Sequence, residues 1–295
     1  MNYEFTVLES QSGQRLDKLL GVLLAEKTTR SQLKKNGKFL LKLEESWKEQ
    51  SSKAKVQTGQ IWQISWQETA LKTEDVLPWK TDLQILHEES DFLVLNKPIG
   101  VSIHPSESEK STETVVNYLV HKFGENFSET FEAGTVRPGI VHRLDKVTSG
   151  VLLVAKNVET LRTFQKNWHD KTTKVYYAMV KDVPPVRGNI KASIMRDPAN
   201  RQRMMVADHP KARPAHTSFK RVAMSQDEKY SLLEVEIFTG RTHQVRVHLS
   251  AIGFAIVGDE RYKGESFDRV MLHASSLEFL HPKTGETKKF TAPLP

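Results

Sequence analysis

A bend that carries charged residues between two apolar segments constrains this chain most. The twelve residues GIVHRLDKVTSG, 139–150, hold His142, Arg143 and Asp145 between two glycines, and VLLVA follows directly. A carboxylate drawn out of water needs a cationic or hydrogen-bonding partner to remain ionised. Two interpretations of Asp145 are open: its carboxylate accepts backbone hydrogen bonds near Thr148 in a turn, or it is a reactive acid beside an arginine.

The positive charge of the chain is concentrated in two blocks. Residues 10–60 hold 11 Lys and Arg against 5 Asp and Glu, and residues 187–221 hold 9 against 2, whereas residues 67–92 carry 7 acids and 2 bases. Two basic blocks in a chain with a net charge of +7 predict a polyanionic partner such as RNA.

The segment SLLEVEIFTGRTHQVRVHLSAIG, 231–253, supplies candidate partners for the acid. It begins as a strand and continues with apolar residues at helical spacing, although their alternation also fits a second strand. We predict a short helix with Thr242 as its N-cap and Gly253 at its end. On such a helix His243 and Arg246 share one face near the positive N-terminus. They then either pair with Asp145 or contact RNA without catalysis.

Composition excludes several other classes of protein. The chain has no cysteine, so disulfides, thiolate chemistry and zinc sites built on cysteine are excluded. The N-terminal residues MNYEFTVLESQSGQRLDK lack the basic start and apolar run of a secretory signal. No stretch approaches the roughly 20 apolar residues that span a bilayer. We therefore expect a cytoplasmic protein, monomeric and without a membrane partner.

Short apolar runs bounded by Gly, Pro, Asn and Asp dominate the chain from residue 83 onwards. The runs predicted as strands are LQILHE, FLVLNKPIG, GIVHRLD, GVLLVAKN, KVYYAMVKD and SLLEVEIF. Helices are predicted over 112–123 and 158–168. Because strands outnumber helices and do not alternate strictly with them, we predict an α+β fold. Its central sheet is mixed and mainly antiparallel, with flanking helices, and not a doubly wound parallel sheet.

The first 66 residues differ in pattern and predict a small α/β domain of their own. Apolar residues of a first helix recur at helical spacing, at Leu16, Leu19, Leu20, Leu23 and Leu24. A second, basic helix in TTRSQLKKNG is expected to end at Gly37, and VQTGQIWQISW alternates as a strand does. The acidic residues 67–82 are predicted to be a linker, and residues 83–295 the larger domain.

Beyond these patterns, two resemblances to known families are carried by motifs in their usual order. The larger domain resembles the RluA-like pseudouridine synthases, and the first residues resemble the alpha-L RNA-binding domain found in a ribosomal protein. The motifs of the first resemblance are FLVLNKPIGVSIHP (92–105), HRLDKVTSG (142–150), KVYYAMVKD (174–182), IMRDPANRQRMMV (194–206), ARPAHTSFK (212–220), TGRTHQVRVHLSAIGFAIVGDERY (239–262) and LHASSLEFLHP (272–282). Those of the second are RLDKLL (15–20), RSQLKKNGK (30–38) and TGQIWQI (58–64).

The RluA-like resemblance implies the pseudouridine synthase fold and the isomerisation of specific uridines in structured RNA to pseudouridine. Large-subunit ribosomal RNA is the first expectation for the substrate and transfer RNA the alternative. It implies that Asp145 is the catalytic carboxylate, that Arg246 pairs with it, and that Tyr176 stacks on the target uracil. Arg143 is expected to fill the gap that the displaced nucleotide leaves. Further RNA contacts are expected at His142, Arg241, Arg30, Lys34 and Lys35.

An internal rearrangement needs no metal, nucleotide or redox cofactor, so none is expected. Two other classes of function stay open. One is a non-catalytic RNA-binding or ribosome-assembly factor, which needs basic patches but no acid at a buried bend. The other is a metal-dependent hydrolase built on histidines, although these lack a tight ligand spacing and a carboxylate cluster. Its candidate ligands are His142, His243, His248 and His273.

Overall fold

The computed structural model describes residues 2–24, 33, 37–66, 76–105, 112–124, 127, 131, 137–168 and 170–295. The chain divides into two compact units, and the boundary between them in sequence lies between Asp75 and Val76. Among the described residues, no helix combines the length and apolar character that a membrane crossing requires.

In its described part, the smaller unit is an antiparallel sheet with one α-helix. Its elements are β1 (Asn2–Thr6), a 3-10 turn (Glu9–Gln11), α1 (Leu16–Leu23), β2 (Gly37–Leu43), β3 (Ser46–Glu49) and β4 (Ile61–Trp66). The strand order is β1-β4-β2-β3. The predicted helical leucines Leu16, Leu19 and Leu20 are buried in one cluster with Trp62 and Ile64. The predicted basic helix lies outside the described residues, apart from the buried Leu33.

The larger unit is built on a mixed sheet that has nine strands in the described residues. Its elements are β5 (Gln84–Glu88), β6 (Phe92–Lys97), α2 (Val115–Phe123), β7 (Ser149–Ala155), α3 (Val158–Asn167), β8 (Thr172–Lys181), β9 (Arg187–Lys191), β10 (Ile194–Arg196), β11 (Met204–Val206), β12 (His216–Met224), β13 (Tyr230–Ile237), α4 (Gln244–Ala251), a 3-10 turn (Glu260–Tyr262), β14 (Leu272–Leu280) and β15 (Thr287–Thr291). The strand order of the nine-stranded sheet is β5-β6-β7-β14-β8-β13-β12-β9, and β15 pairs with β14. Strands β10 and β11 pair with each other in a separate antiparallel hairpin.

All strand pairs of this sheet are antiparallel except β7 with β14, which confirms the predicted α+β class and mixed sheet. Strand β7 is buried along its whole length, because both of its faces are covered. Leu152 and Val154 lie in the main core, whereas Leu153 and Ala155 lie in a second cluster with Phe164 of α3. The bend of residues 139–150 therefore leads into the centre of the sheet.

The segment GIVHRLD is not the strand that its apolar residues predict. Within this segment Ile140 forms an isolated bridge with Val154, and the other residues belong to no strand. Gly139 has a φ of +72°, and a Cβ there would collide with the carbonyl of Ala155. This close approach of two backbones favours glycine and breaks the extended conformation.

The helix prediction for residues 244–251 is confirmed, but its predicted cap is wrong. Helix α4 begins after His243, which has left-handed dihedral angles and no side-chain cap. The Gln244 side chain instead holds the turn that precedes the helix, since its Oε1 accepts from the N–H of Arg241 over 3.0 Å. Thr242 is therefore not the N-cap.

Part of the predicted linker packs on the larger unit. Residues 67–75 lie outside the described residues. Beyond them, the Asn117 amide donates to the carbonyl of Leu77 over 2.7 Å, and the N–H of Trp79 donates to the carbonyl of Asn117 over 3.1 Å. Residues 77–79 are thus held against α2.

Gly150 is expected to tolerate no side chain. Its φ is +117°, and a Cβ would enter the backbone of Ala274 on β14. Gly150→Ala should lower the free energy of unfolding by about 2–5 kcal/mol, through backbone strain and overpacking together. Gly253→Ala, at a φ of +90° with open space around it, should cost only the strain, about 1–2 kcal/mol. Equal losses for the two variants in equilibrium urea unfolding would contradict this account.

Candidate active site

Backbone contacts hold the bend that carries Asp145. The N–H of Thr148 donates to the Asp145 carbonyl over 3.0 Å, and the N–H of Gly100 donates to the Lys146 carbonyl over 2.9 Å. The turn expected at Asp145 is therefore made by its backbone. Its carboxylate instead accepts a hydrogen bond from Arg246, 101 residues further along the chain. Among the described contacts the carboxylate thus makes the ion pair, and not the backbone contact near Thr148 that the sequence offered as the alternative.

Arg246, on α4, lies between two carboxylates. Its Nε and Nη2 donate to the two oxygens of Asp259 over 2.7 and 2.8 Å, and its Nη1 donates to Oδ2 of Asp145 over 3.2 Å. Burial alone would lower the pKa of Arg246, but the hydrogen bonds and charges of Asp259 and Asp145 raise it overall. The guanidinium therefore stays protonated, in a fixed orientation, with one N–H directed at Asp145.

Tyr176 of β8 lines the same pocket as Asp145 and Arg246, a space of about 90 Å³. The tyrosine is only 9% exposed. Burial, and after it the nearby charge of Asp145, raises the pKa of the phenol. The hydroxyl therefore stays neutral, and the ring offers an apolar surface beside the carboxylate on which a planar group can stack.

A wider cleft of about 840 Å³ shares Arg143, Asp145, His243 and Arg246 with this pocket. The other basic side chains that line it are Lys146, Arg196, Arg201 and Arg261. The pocket can take a planar ring, and the cleft that it shares residues with is lined by basic side chains. This combination suits a polyanion with flat, stacking bases.

Two further ionisable side chains surround Asp145. The Nε2 of His243 lies 4.0 Å from Oδ2 of Asp145, and burial lowers the pKa of this histidine. The Nζ of Lys97 is fully buried and donates to the carbonyls of Pro98 and Val101 over 2.8 and 2.9 Å. Burial lowers the pKa of Lys97 to about 7, against the opposing effect of the Asp145 charge. Lys97 thereby fixes the loop that contacts the bend.

The structure brings some of the predicted RNA contacts to the cleft and not others. Arg143 is exposed and lines both pocket and cleft, and Arg241 lines the pocket. His142 is not among the described lining residues: its Nε2 accepts from the Leu153 N–H over 2.9 Å and its ring stacks on Trp168. Burial, and then the charge of Lys174, lowers the pKa of His142 to about 3. It is a neutral residue that secures the bend to β7.

Three predicted RNA contacts of the smaller unit, Arg30, Lys34 and Lys35, lie outside the described residues.

The histidines of the metal-hydrolase interpretation lie in separate hydrogen-bond networks. His248 contacts Thr217, and His273 contacts Ser149, each over 2.9 Å. His142 contacts Leu153 and Trp168, and His243 contacts Tyr262. Where the structure describes the chain, no three His, Cys, Asp or Glu side chains gather as a metal site requires.

Asp259 and Tyr262 complete the site and were not predicted from the sequence. Asp259 holds Arg246 from the side opposite Asp145, and the Tyr262 hydroxyl lies 2.7 Å from Nδ1 of His243. Both belong to the GDERY end of the motif at 239–262, which was quoted for the resemblance without a role for either residue. An acid close behind the buried apolar residues Ile256 and Val257 was the available signal.

The fold and the site define an enzyme with a carboxylate and an arginine beside an aromatic ring, in a basic cleft on a mixed sheet. The family model for RNA pseudouridylate synthases matches residues 91–251, and the chain belongs to this family. It is therefore an RNA pseudouridine synthase, which converts uridine to pseudouridine.

Individual relatives agree with this assignment. The chain is 42% identical to an uncharacterised RNA pseudouridine synthase of Chloroflexus aurantiacus over 68% of its own length and 62% of that protein. It is 38% identical to the ribosomal large subunit pseudouridine synthase D of Borreliella burgdorferi over 99% of its length and 89% of that protein. The solved structure of human RNA pseudouridylate synthase domain containing 1 is 28% identical, with a TM-score of 0.56 over 72% of this chain and 83% of that one.

Proposed function

We propose that the enzyme isomerises uridines in large-subunit ribosomal RNA and that Asp145 is its catalytic carboxylate. The relative from Borreliella burgdorferi that matches almost the whole chain is named for large-subunit RNA, which favours this substrate over transfer RNA. The smaller unit, residues 1–66 in the predicted division, is proposed to add a second RNA contact through Arg30, Lys34 and Lys35. The enzyme is proposed to act as a monomer in the cytoplasm, where ribosomal RNA is modified.

One observation carries the assignment of Asp145. The buried Arg246 donates to its carboxylate while Asp259 fixes the guanidinium, and the ring of Tyr176 lines the same pocket. A carboxylate oriented by a buried arginine in a small pocket can react with a sugar carbon. A carboxylate that only closed a turn would not need this arrangement.

The reaction breaks the N1–C1′ bond of uridine and forms a C5–C1′ bond, while C5 loses a proton and N1 gains one. Asp145 either attacks C1′ and is later displaced, or removes a proton from C2′ and later returns it. Both routes need the ionised carboxylate that Arg246 supports. Since the product has the atoms and electrons of the substrate, the chemistry calls for no cofactor.

The target base must leave its stack before it can react. Extrusion costs a few kcal/mol, and stacking on an aromatic side chain returns about 1–3 kcal/mol. Tyr176 is proposed to receive the uracil, and the exposed Arg143 at the rim is proposed to fill the gap in the RNA. Arg241 lies in the same rim and is proposed to contact the backbone.

RNA binding is expected to fall steeply with salt because arginines of the cleft displace counterions from phosphates. Replacing Arg196 and Arg201 together with alanine should reduce the slope of log K against log salt by about 2. Binding to the target RNA, measured by filter retention in an Asp145→Asn background, checks this. The matched control removes two exposed lysines outside the cleft, Lys229 and Lys288, and should leave the slope unchanged. If the slope were the same with the arginines replaced, with the lysines replaced and with neither replaced, RNA would not bind along the cleft.

Chemical mapping of pseudouridine identifies the substrate. Total RNA from cells with the intact gene, a deletion and an Asp145→Asn allele is treated with carbodiimide and read by reverse transcription. We expect one or more sites in large-subunit RNA to disappear in the deletion and not to return with Asp145→Asn. Loss of sites in transfer RNA alone would overturn the substrate assignment but keep the activity. If no site is lost, the purified enzyme is tested on transcripts, and failure there overturns the proposed function.

A further inference from the structure

We propose that His243 donates a hydrogen bond from Nε2 to the target nucleotide and that Tyr262 holds it in the tautomer that does so. The proposal rests on the proposed function of the Asp145 pocket. It makes His243 an uncharged hydrogen-bond donor beside the carboxylate. From the sequence, His243 was predicted as a partner for Asp145, a general RNA contact or a metal ligand.

The hydrogen bonds of Tyr262 determine the tautomer. The N–H of Met204 donates to the Tyr262 oxygen over 2.8 Å, and Nδ1 of His243 lies 2.7 Å from the same oxygen. A phenol has one hydrogen to donate, and a peptide N–H cannot accept it. Among the described contacts Nδ1 is the acceptor available to the Tyr262 hydroxyl, and we therefore assign the ring proton of His243 to Nε2.

The backbone of His243 turns that Nε2–H toward the reaction site. His243 has φ 57° and ψ 22°, left-handed values that cost a residue other than glycine about 1–2 kcal/mol. This conformation precedes α4 directly, and it places the ring on the wall shared by pocket and cleft. Strain of this kind persists where surrounding contacts fix it, here those of the buried Tyr262.

The position of Nε2 limits what can accept its hydrogen. It lies 4.0 Å from Oδ2 of Asp145, the atom proposed to act on C1′ or C2′ of the ribose. Two good acceptors of a uridine lie within three bonds of these carbons: the 2′-hydroxyl on C2′ and the uracil O2. Burial lowers the pKa of His243, so the ring stays neutral and does not compete with Arg246 for the carboxylate.

Tyr262 also connects this donor to the basic hairpin of β10 and β11. Met204, which donates to the Tyr262 oxygen, is the first residue of β11, and Arg261 donates to the carbonyl of Gln202 over 3.0 Å. The hairpin arginines Arg196 and Arg201 line the cleft. A hairpin held in place by bound RNA therefore also holds the phenol that selects the tautomer of His243.

A double-mutant cycle between protein and RNA tests the donor. Affinity is measured in the inactive Asp145→Asn background for His243 and for His243→Ala, with target RNA that carries uridine, 2′-deoxyuridine or 2-thiouridine at the reacting position. His243→Ala should weaken binding of the uridine RNA about 5–10-fold, the effect of one hydrogen bond. It should have no effect on the RNA whose acceptor is missing or weakened, and that RNA identifies the 2′-hydroxyl or O2. His121→Ala, an exposed histidine on α2, is the matched control and should change none of the three affinities.

The tautomer is observed directly by ¹⁵N NMR of histidine-labelled protein, which also shows whether each variant is folded. We expect the Nε2–H pattern for His243 in the unmodified enzyme and a mixture of tautomers in Tyr262→Phe, which keeps the ring and removes the donor. Tyr262→Phe should also lose part of the preference measured in the cycle. Equal weakening of all three RNAs by His243→Ala, or an Nδ1–H pattern in the enzyme, would overturn the proposal. Product formation by the unmodified enzyme is scored separately, so failure of the donor is distinguished from failure of the activity.

Discussion

Asp145→Asn is expected to lower the single-turnover rate of pseudouridine formation by about 10,000-fold or more, the loss typical of removing a reactive carboxylate. The amide cannot attack C1′ or take a proton from C2′. Affinity for the target RNA should stay within about threefold, because the amide has the size of the carboxylate and its oxygen can still accept from Nη1 of Arg246. Tritium release from C5-labelled transcript under enzyme excess measures the rate, and filter retention measures the affinity.

The fold should survive this change. Arg246 keeps both hydrogen bonds to Asp259, and the amide oxygen of the new residue can still accept from Nη1. Asp227→Asn, at an exposed carboxylate paired with Lys229, is the matched control and should react at the normal rate. A rate for Asp145→Asn within tenfold of normal would show that the carboxylate is not the reacting group, and the non-catalytic interpretation would then regain support.

Local patterns predicted most of the large unit because its strands bury one or both faces. The run at β7 is apolar throughout and the run at β13 alternates, and both strands form as these patterns predict. The strand prediction for 139–145 was wrong because Ile140, Val141 and Leu144 pack against the core from a bend, in which Ile140 forms an isolated bridge and not a strand. Gly139 marks that bend, since the close approach to Ala155 leaves no room for a Cβ.

The order of motifs predicted candidate residues for the site. It did not predict which of their side chains contact one another. Asp145 and Arg246 are joined across 101 residues, a contact set by the pairing of β7, β14, β8 and β13 and the placement of α4. His142, close to Asp145 in the sequence, was predicted to contact RNA. In the structure its ring stacks on Trp168. Asp259 was missed because its partner depends on this tertiary arrangement, which neither spacing nor composition encodes.

Asp259→Ala is expected to lower the free energy of unfolding by about 3–5 kcal/mol, which would make it the most destabilising change at the site. Asp259 is 1% exposed and accepts two hydrogen bonds from the buried guanidinium of Arg246. Removing it leaves that cation with Asp145 as its carboxylate partner in the described contacts, and the reacting acid is drawn from its position. The rate should therefore fall at least about 100-fold, since displaced catalytic groups lose this much. Urea unfolding and single-turnover kinetics measure the two effects.

A second change separates the buried charge from the packing. In Asp259→Ala/Arg246→Met the unpaired cation is gone, so stability should recover by at least about 1 kcal/mol relative to Asp259→Ala alone. Activity should not recover, because the Nη1 donor that orients the Asp145 carboxylate is then gone. Asp259→Asn keeps an acceptor for Nε and should lie between the single variant and the unmodified enzyme in stability. If the double variant were less stable than Asp259→Ala, the cost would arise from lost packing around Arg246. The charge of Asp259 would then not be what fixes the arginine against Asp145.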